Sequence, residues 1–388
     1  MKTDPARSVD PLDIERSAPA EIAPVLPPRD EIKALTGLRF IAACWVLTAH
    51  FQPVLEALWP AARVFDPIAR DGNMGVDLFF ILSGFILIYN YRETFTQLTA
   101  RNYVRFLGLR LARIYPVHLF TFGLFAAFVV FDLAGGSPAH HEPGVFTLAG
   151  AVKHLLLIQA WGFGDSATWN QPAWSLSAEW FAYLLFPGLA WAILRFGSLR
   201  LLVGAAVVAA PVGLAAMTLI DTFPPFLALL RVGATFTLGC GLGILFLDGI
   251  GERWKRWEIV AAASAIAIVV ASLALPDTCC AEYGSVILLM AVCIFALARA
   301  SGPPARWLST KRAMFWGGAS YALYMTHWFV LAVGREFAPA DSFASAPLLG
   351  RSVVVAGYLA AFFVAAVATF VIVERPARKR LRDAMASA

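Results

Sequence analysis

What this 388-residue sequence lacks first is charge: only 15% of it is Asp, Glu, Lys or Arg, while 59% is hydrophobic and 13% aromatic, with a mean hydropathy of +0.69. A soluble domain covers its surface with roughly a quarter charged residues. A chain this poor in charge cannot coat a water-soluble globule of its size, so its apolar surface must face lipid. Cysteine is scarce too, with five residues and no metal-ligand spacing among them. Cys44, Cys240 and Cys293 lie inside apolar runs and read as small apolar fillers. Cys279 and Cys280 fall between runs, where oxidation is open to them, although adjacent residues rarely reach disulfide geometry. His140-His141-Glu142 is too short a cluster for a metal site, and no metal is expected. No strand precedes the glycines at 239, 241 and 243, which excludes a nucleotide-binding loop and leaves close helix approach as their reading. Residues 1–33 have no helical periodicity but six prolines and seven acidic residues, so they read as a disordered tail and exclude a signal peptide.

What is present is a succession of apolar runs. Candidate spans fall near 36–58, 75–91, 114–133, 174–194, 201–219, 226–247, 258–275, 283–300, 314–333 and 348–373, each close to the ~20 residues a bilayer needs. An eleventh stretch, Val145 to Trp161, is shorter and carries Lys153 and His154. The distribution of basic residues decides its status. If it does not cross and the N-terminus is cytoplasmic, 25 of the 31 Lys and Arg residues fall on the inner side. If it crossed, the later basic clusters would lie outside. The expected architecture is therefore an all-α integral membrane protein of about ten transmembrane helices plus one re-entrant or interfacial segment, with both termini cytoplasmic. In domain terms this is a tail (1–33), a transmembrane unit (34–376) and a basic cytoplasmic tail (377–388), in an inner or plasma membrane.

Polar groups inside the spans are the candidates for function. Arg39 and His50 are eleven residues apart on the first span, on one face and ~16 Å apart in depth, with Arg39 near the cytosol and His50 in the outer half. Ser320, Tyr324 and His327 form a polar stripe on the ninth span, and His327 also falls in the outer half. Glu179, on Trp174-Ser-Leu-Ser177-Ala-Glu179, and Asp77 enter from the outer face and are expected in the same layer. Asp77 could accept a hydrogen bond from a histidine there. Asp77 and Ser177 also suit helix N-caps. Arg110 and Arg113 open the third span as an i, i+3 pair. They read either as anchors reaching lipid phosphates or, with Arg39, as guanidinium forks holding the phosphates of an anionic co-substrate.

At these residues the sequence resembles the membrane acyltransferase family 3, whose members O-acylate surface polysaccharides, lipopolysaccharide and related acceptors. The resemblance runs from about Ala34 to Pro376. It is carried by LTGLRFIAACWVLTAH (35–50), GVDLFFILSGFILI (75–88), RLARIYP (110–116), WSLSAEWFAY (174–183), SYALYMTH (320–327) and VERP (373–376). Thr36 stands where an Asp is common in the family, and Trp180 where a second Glu often follows the first. No appended soluble esterase-like domain is expected. The resemblance implies that Arg39, His50, Arg110, Arg113 and Glu179 serve activity, with His50 as the catalytic histidine.

The expected function is transfer of an acyl group, acetyl by resemblance, from cytoplasmic acyl-CoA to a hydroxyl of a glycan, glycolipid or small acceptor outside. Arg39, Arg110 and Arg113 would hold the donor phosphates. His50 would act as base, with Asp77 or Glu179 orienting its ring, and Trp174, Ser177, Tyr324 and His327 would line the substrate path. An acyl-histidine relay is equally open at this stage. The competing class is a transporter or flippase for a polysaccharide or lipid-linked precursor, because charges along one axis also mark a substrate pathway. The absence of an internal repeat and the gathering of basic residues at one face count against it. No nucleic-acid partner is expected.

Overall fold

The computed structural model describes residues 30–134, 146–163, 169–196, 227–274 and 280–386, and these are helical with no strand among them. The expected span at 201–219, the tail before Asp30, Cys279 and the His140-His141-Glu142 cluster lie outside the described residues.

Long apolar runs without breakers produce long helices, because in lipid each backbone polar group must be satisfied within its own segment. The helices are α1 (Lys33–Leu58), α2 (Asp66–Arg70), α3 (Gly75–Tyr91), α4 (Ala100–Ala134), α5 (Leu148–Leu155), α6 (Ala173–Phe196), α7 (Leu227–Leu247), α8 (Trp257–Ala274), α9 (Cys280–Arg299), α10 (Pro303–Leu308), α11 (Lys311–Phe337), α12 (Leu348–Ala368) and α13 (Arg375–Ala386). A π-helical turn, Thr369–Glu374, joins the last two. Pro53, Pro116 and Pro187 lie inside α1, α4 and α6, as helices in lipid tolerate where neighbours take up the freed carbonyl.

Among the described residues, seven helices are long and apolar enough to cross a membrane. The expected number was about ten, with nine falling in the described regions. The difference lies in α9, whose apolar stretch Tyr283–Arg299 is shorter, and in α11, which is 27 residues long but is not among the seven. Ser320, Tyr324, Thr326 and His327 are the buried polar residues that interrupt α11. The chain is thus a multi-pass membrane protein whose described residues are all-helical. The stretch 145–161 forms the eight-residue α5, long enough for only ~12 Å. Leu157 and Trp169 then adopt left-handed backbone conformations, with φ of 57° and 56°. The segment is tied to its neighbours: Tyr115 donates to the Leu155 carbonyl at 2.8 Å, and Lys153 donates to the Phe163 carbonyl.

The most extensive helix pair is α3 with α7, followed equally by α1 with α11 and α8 with α9. Glycine sets the first of these. A Cβ on Gly84 would stand 2.0 Å from the Phe236 carbonyl oxygen, and one on Gly239 2.0 Å from that of Ile81. Only a missing side chain lets the two backbones approach so closely. This contact turns one face of α3 toward α7, which decides where Asp77 points. Cys240 and Cys293 are buried in the apolar cores and Cys44 is half-buried, all three as free thiols. The basic residues expected as a tail at 377–388 are helical as far as Ala386, and α13 packs along α4.

Candidate functional site

The outer-layer candidates separate into three places. His50 on α1 meets His327 on α11: His327 Nε2 lies 3.1 Å from His50 Nδ1, with ring centroids 5.1 Å apart. The proton positions follow from the partners. His327 Nδ1 faces the Tyr324 carbonyl at 2.5 Å, and a carbonyl only accepts, so that nitrogen carries the proton. In the neutral ring Nε2 is then an acceptor, and His50 Nδ1 must donate to it. His50 Nε2 is left as the bare lone pair. Trp328 packs its ring edge against His50 at 5.1 Å.

Asp77 is elsewhere. It is fully buried and bound by Arg231, whose Nε donates to Oδ1 at 2.8 Å and whose Nη2 donates to Oδ2 at 2.6 Å. Tyr283 donates to Oδ2 at 2.8 Å. The expectation that Asp77 orients a histidine is therefore corrected: the α3–α7 contact faces it toward Arg231, and the partner of His50 is His327. Nor does Asp77 cap a helix, since α3 begins at Gly75 without a side-chain cap. Trp174 belongs to this cluster, with the Arg231 guanidinium 5.4 Å from its ring. An arginine in the apolar run of α7 was the sequence signal for the cluster, and Arg231 is the residue that sequence reasoning passed over.

Glu179 lies not with the histidines but with the arginines. One cavity is lined by Arg39, Arg110, Arg113, Glu179, Ser83 and Tyr183, together with Ser175, Tyr321 and Tyr324. Its volume is about 80 Å³. Ser83 donates to Glu179 Oε1 at 2.7 Å and Tyr183 to the same oxygen at 2.5 Å. Tyr183 is four residues from Glu179, one turn along α6, and this spacing was legible. Ser83, which comes from α3, was not. The arginine guanidiniums are incompletely satisfied. Arg110 donates to the Tyr91 hydroxyl at 3.1 Å, but its Nε and that of Arg39 are buried without a hydrogen-bond partner. Buried arginine donors without a partner, on side chains that line a cavity, fit an anionic ligand.

Ser177 lines neither place. It is fully buried, donates to the Leu157 carbonyl at 2.8 Å and accepts from the Ala160 amide at 3.1 Å, so it ties α6 to the segment after α5. Tyr324 bridges the places. Its hydroxyl lies 2.7 Å from that of Ser175 in the cavity lining, and its carbonyl receives the His327 proton. Tyr324 thus lines the same cavity as the arginines and Glu179 and also fixes His327, while His50 and His327 themselves lie outside the cavity lining. Among the described residues no group of three or more His, Cys, Asp or Glu could hold a metal ion.

Long apolar helices around a charged cavity and a histidine pair define a polytopic membrane protein with buried reactive groups. The particular family follows from comparison: the profile of the acyltransferase 3 family, an acyltransferase domain, matches residues 32–373, and the chain belongs to that family. It is 37% identical to Acyltransferase MdmB of Streptomyces mycarofaciens over 166 residues, 42% of this chain and 40% of that protein. It is 30% identical to Protein 2 in picA locus of Rhizobium radiobacter over 165 residues, 39% of this chain and 78% of that protein. The match thus spans about two fifths of the length of the named acyltransferase. No solved structure matches the chain.

Proposed function

We propose that this protein transfers an acyl group, acetyl in the simplest case, from cytoplasmic acyl-CoA to a hydroxyl of a cell-surface or periplasmic glycan or glycolipid, in a bacterial inner membrane with both termini cytoplasmic. The observation that carries the reading is a cavity lined by Arg39, Arg110 and Arg113, with buried arginine donors unused, beside a buried histidine pair to which Tyr324 connects it. Arg39 and His50 are ~16 Å apart in depth along α1, a span an extended pantetheine arm covers. The cavity, about 80 Å³, is small beside a nucleotide. The donor's phosphates would therefore remain at the arginine mouth.

In the reaction the acceptor hydroxyl gives its proton to His50 Nε2 as its oxygen attacks the thioester carbonyl carbon. The tetrahedral intermediate collapses with cleavage of the C–S bond. The coenzyme thiolate takes up the proton, and the acyl ester remains on the acceptor. His327 acts as a positioning residue, because its accepting Nε2 holds His50 in the tautomer that leaves Nε2 bare. Glu179 lines the cavity, where Ser83 and Tyr183 fix it by one oxygen.

The test is mass spectrometry of surface glycans and lipids from cells with the gene deleted, complemented by wild type or by His50→Ala. An O-acyl mass lost on deletion should return only with wild type, and the variant should lose ~10²- to 10⁴-fold of the transfer rate. Full restoration by His50→Ala would sink the base assignment. Unchanged acylation on deletion, with a glycan or metabolite shifted across the membrane, would replace transfer by transport.

A further inference from the structure

The arginine mouth is not closed by α1 and α4 alone. The π-helical turn Thr369–Glu374 inserts an extra residue's worth of backbone at the end of α12 and delivers Glu374 into the bundle, where it is only 3% exposed. Its Oε2 has no hydrogen-bond partner. The chain then continues as α13, which lies along α4: Met385 reaches Gly108, where an added Cβ would stand 2.7 Å from its sulfur. Helical spacing puts Arg378 and Arg382 four and eight residues on from Glu374, on the same face. Arg378 is seven residues before Met385, on the face that α13 turns to α4, the helix of Arg110 and Arg113, and the charges of Arg113, Glu374 and Arg110 act on it. The same Arg113 and Glu374 act on Arg39, together with Glu179. Arg39, Arg110 and Arg113 line the cavity with one carboxylate, Glu179, and with α13 packed along α4 the arginines of this region outnumber Glu179 and Glu374. In a low-dielectric surround such an excess is costly unless an anion completes it.

We infer that α13, packed along α4, flanks the cytoplasmic side of the donor site and that Arg378, an exposed residue of its first turn, is a fourth arginine binding the phosphates of the coenzyme A moiety. The inference rests on the acyl-CoA reading above. Glu374 offsets part of the arginine charge before the donor arrives, and its place on a π turn holds it inside the cluster and not in the cytosol. Phosphate is also the chemistry of a lipid headgroup, and a basic amphipathic helix at a membrane face can bind one. The packing of α13 along α4, the helix that carries Arg110 and Arg113, favours the donor.

The experiment is calorimetric titration of coenzyme A into the full-length protein in phosphatidylcholine nanodiscs, comparing wild type, Arg378→Gln, Arg378→Lys and Arg380→Gln. Arg380 is exposed on another face of α13 and serves as the charge control. Arg378→Gln should weaken coenzyme A binding about 10- to 100-fold, with Arg378→Lys intermediate and Arg380→Gln like wild type. S-acetylpantetheine, which has no nucleotide phosphates, should bind wild type and Arg378→Gln alike. Wild-type affinity in Arg378→Gln, beside a loss in Arg110→Gln, would overturn the role of Arg378 and leave the donor site standing. Unchanged coenzyme A binding with weakened binding to phosphatidylglycerol vesicles would make Arg378 a lipid anchor instead. Wild-type affinity in Arg378→Gln, Arg39→Gln and Arg110→Gln together would overturn the donor reading as well.

Discussion

Two charged clusters are buried in the same bundle, and they differ in closure. Around Asp77 every charge has its opposite: Arg231 forks onto both carboxylate oxygens and donates to the Asn73 carbonyl at 2.9 Å, and Tyr283 adds a further bond. Around Glu179 and Glu374 the arginines outnumber the carboxylates, and Arg39 and Arg110 keep buried donors unused. A closed cluster fixes three helices against one another and has nothing to offer a ligand. An open one carries a standing electrostatic cost that an anion can remove, which is the physical mark of a binding site. Depth in the membrane and the mere presence of charge do not separate the two; satisfaction does.

The comparison breaks most readily at Asp77. Asp77→Ala strands the Arg231 guanidinium without its anion and should cost about 3 to 5 kcal/mol, read as a lowered unfolding midpoint of the purified protein. Replacing Asp77 and Arg231 together by Leu should recover most of that loss, since no charge is then unpaired. A double variant as unstable as the single one would show that the pair does more than satisfy itself. Arg110→Gln should behave in the opposite way. It removes an incompletely paired charge, so the unfolding midpoint should hold or rise, while KM for acyl-CoA increases about 10- to 100-fold. If Arg110→Gln instead unfolded as readily as Asp77→Ala, the open cluster would be structural after all. Trp174→Phe reports on the closed cluster alone: it exchanges one ring for another above Arg231 and should change stability by about 1 kcal/mol with donor KM unmoved. The smallest effect is expected at Ser83→Ala, about 1 kcal/mol or less in transition-state stabilisation, because Tyr183 still holds Glu179 by the same oxygen. A large loss there would mean that the serine hydroxyl itself meets the substrate.

Periodicity along single helices was a reliable guide, whereas contacts between helices were not. The expected span at 75–91 coincides with α3, and the arginine pair of α4 and the stripe Ser320, Tyr324, His327 of α11 lie where i, i+3 and i+4 spacing put them. The short stretch at 145–161 was read as non-crossing from charge placement, and it forms an eight-residue helix. Grouping by depth failed for Asp77 and Glu179, which were expected in one outer layer with His50 yet are held by Arg231 and by Ser83 and Tyr183. Depth gives one coordinate of a side chain, and the rotation of its helix gives the other.

The sequence by itself determined that this chain lives in a membrane, which residues within the spans are polar, and which family the chain belongs to, because apolar length and motif order are properties of the chain read along one line. Only the tertiary structure decided the partners. The glycine contacts of α3 and α7 turned Asp77 to Arg231, His327 took the place beside His50, and the π turn after α12 brought Glu374 and α13 to the arginines. Those pairings depend on how far each helix is rotated about its own axis. That rotation is set by packing between helices distant in sequence, and no local spacing encodes it.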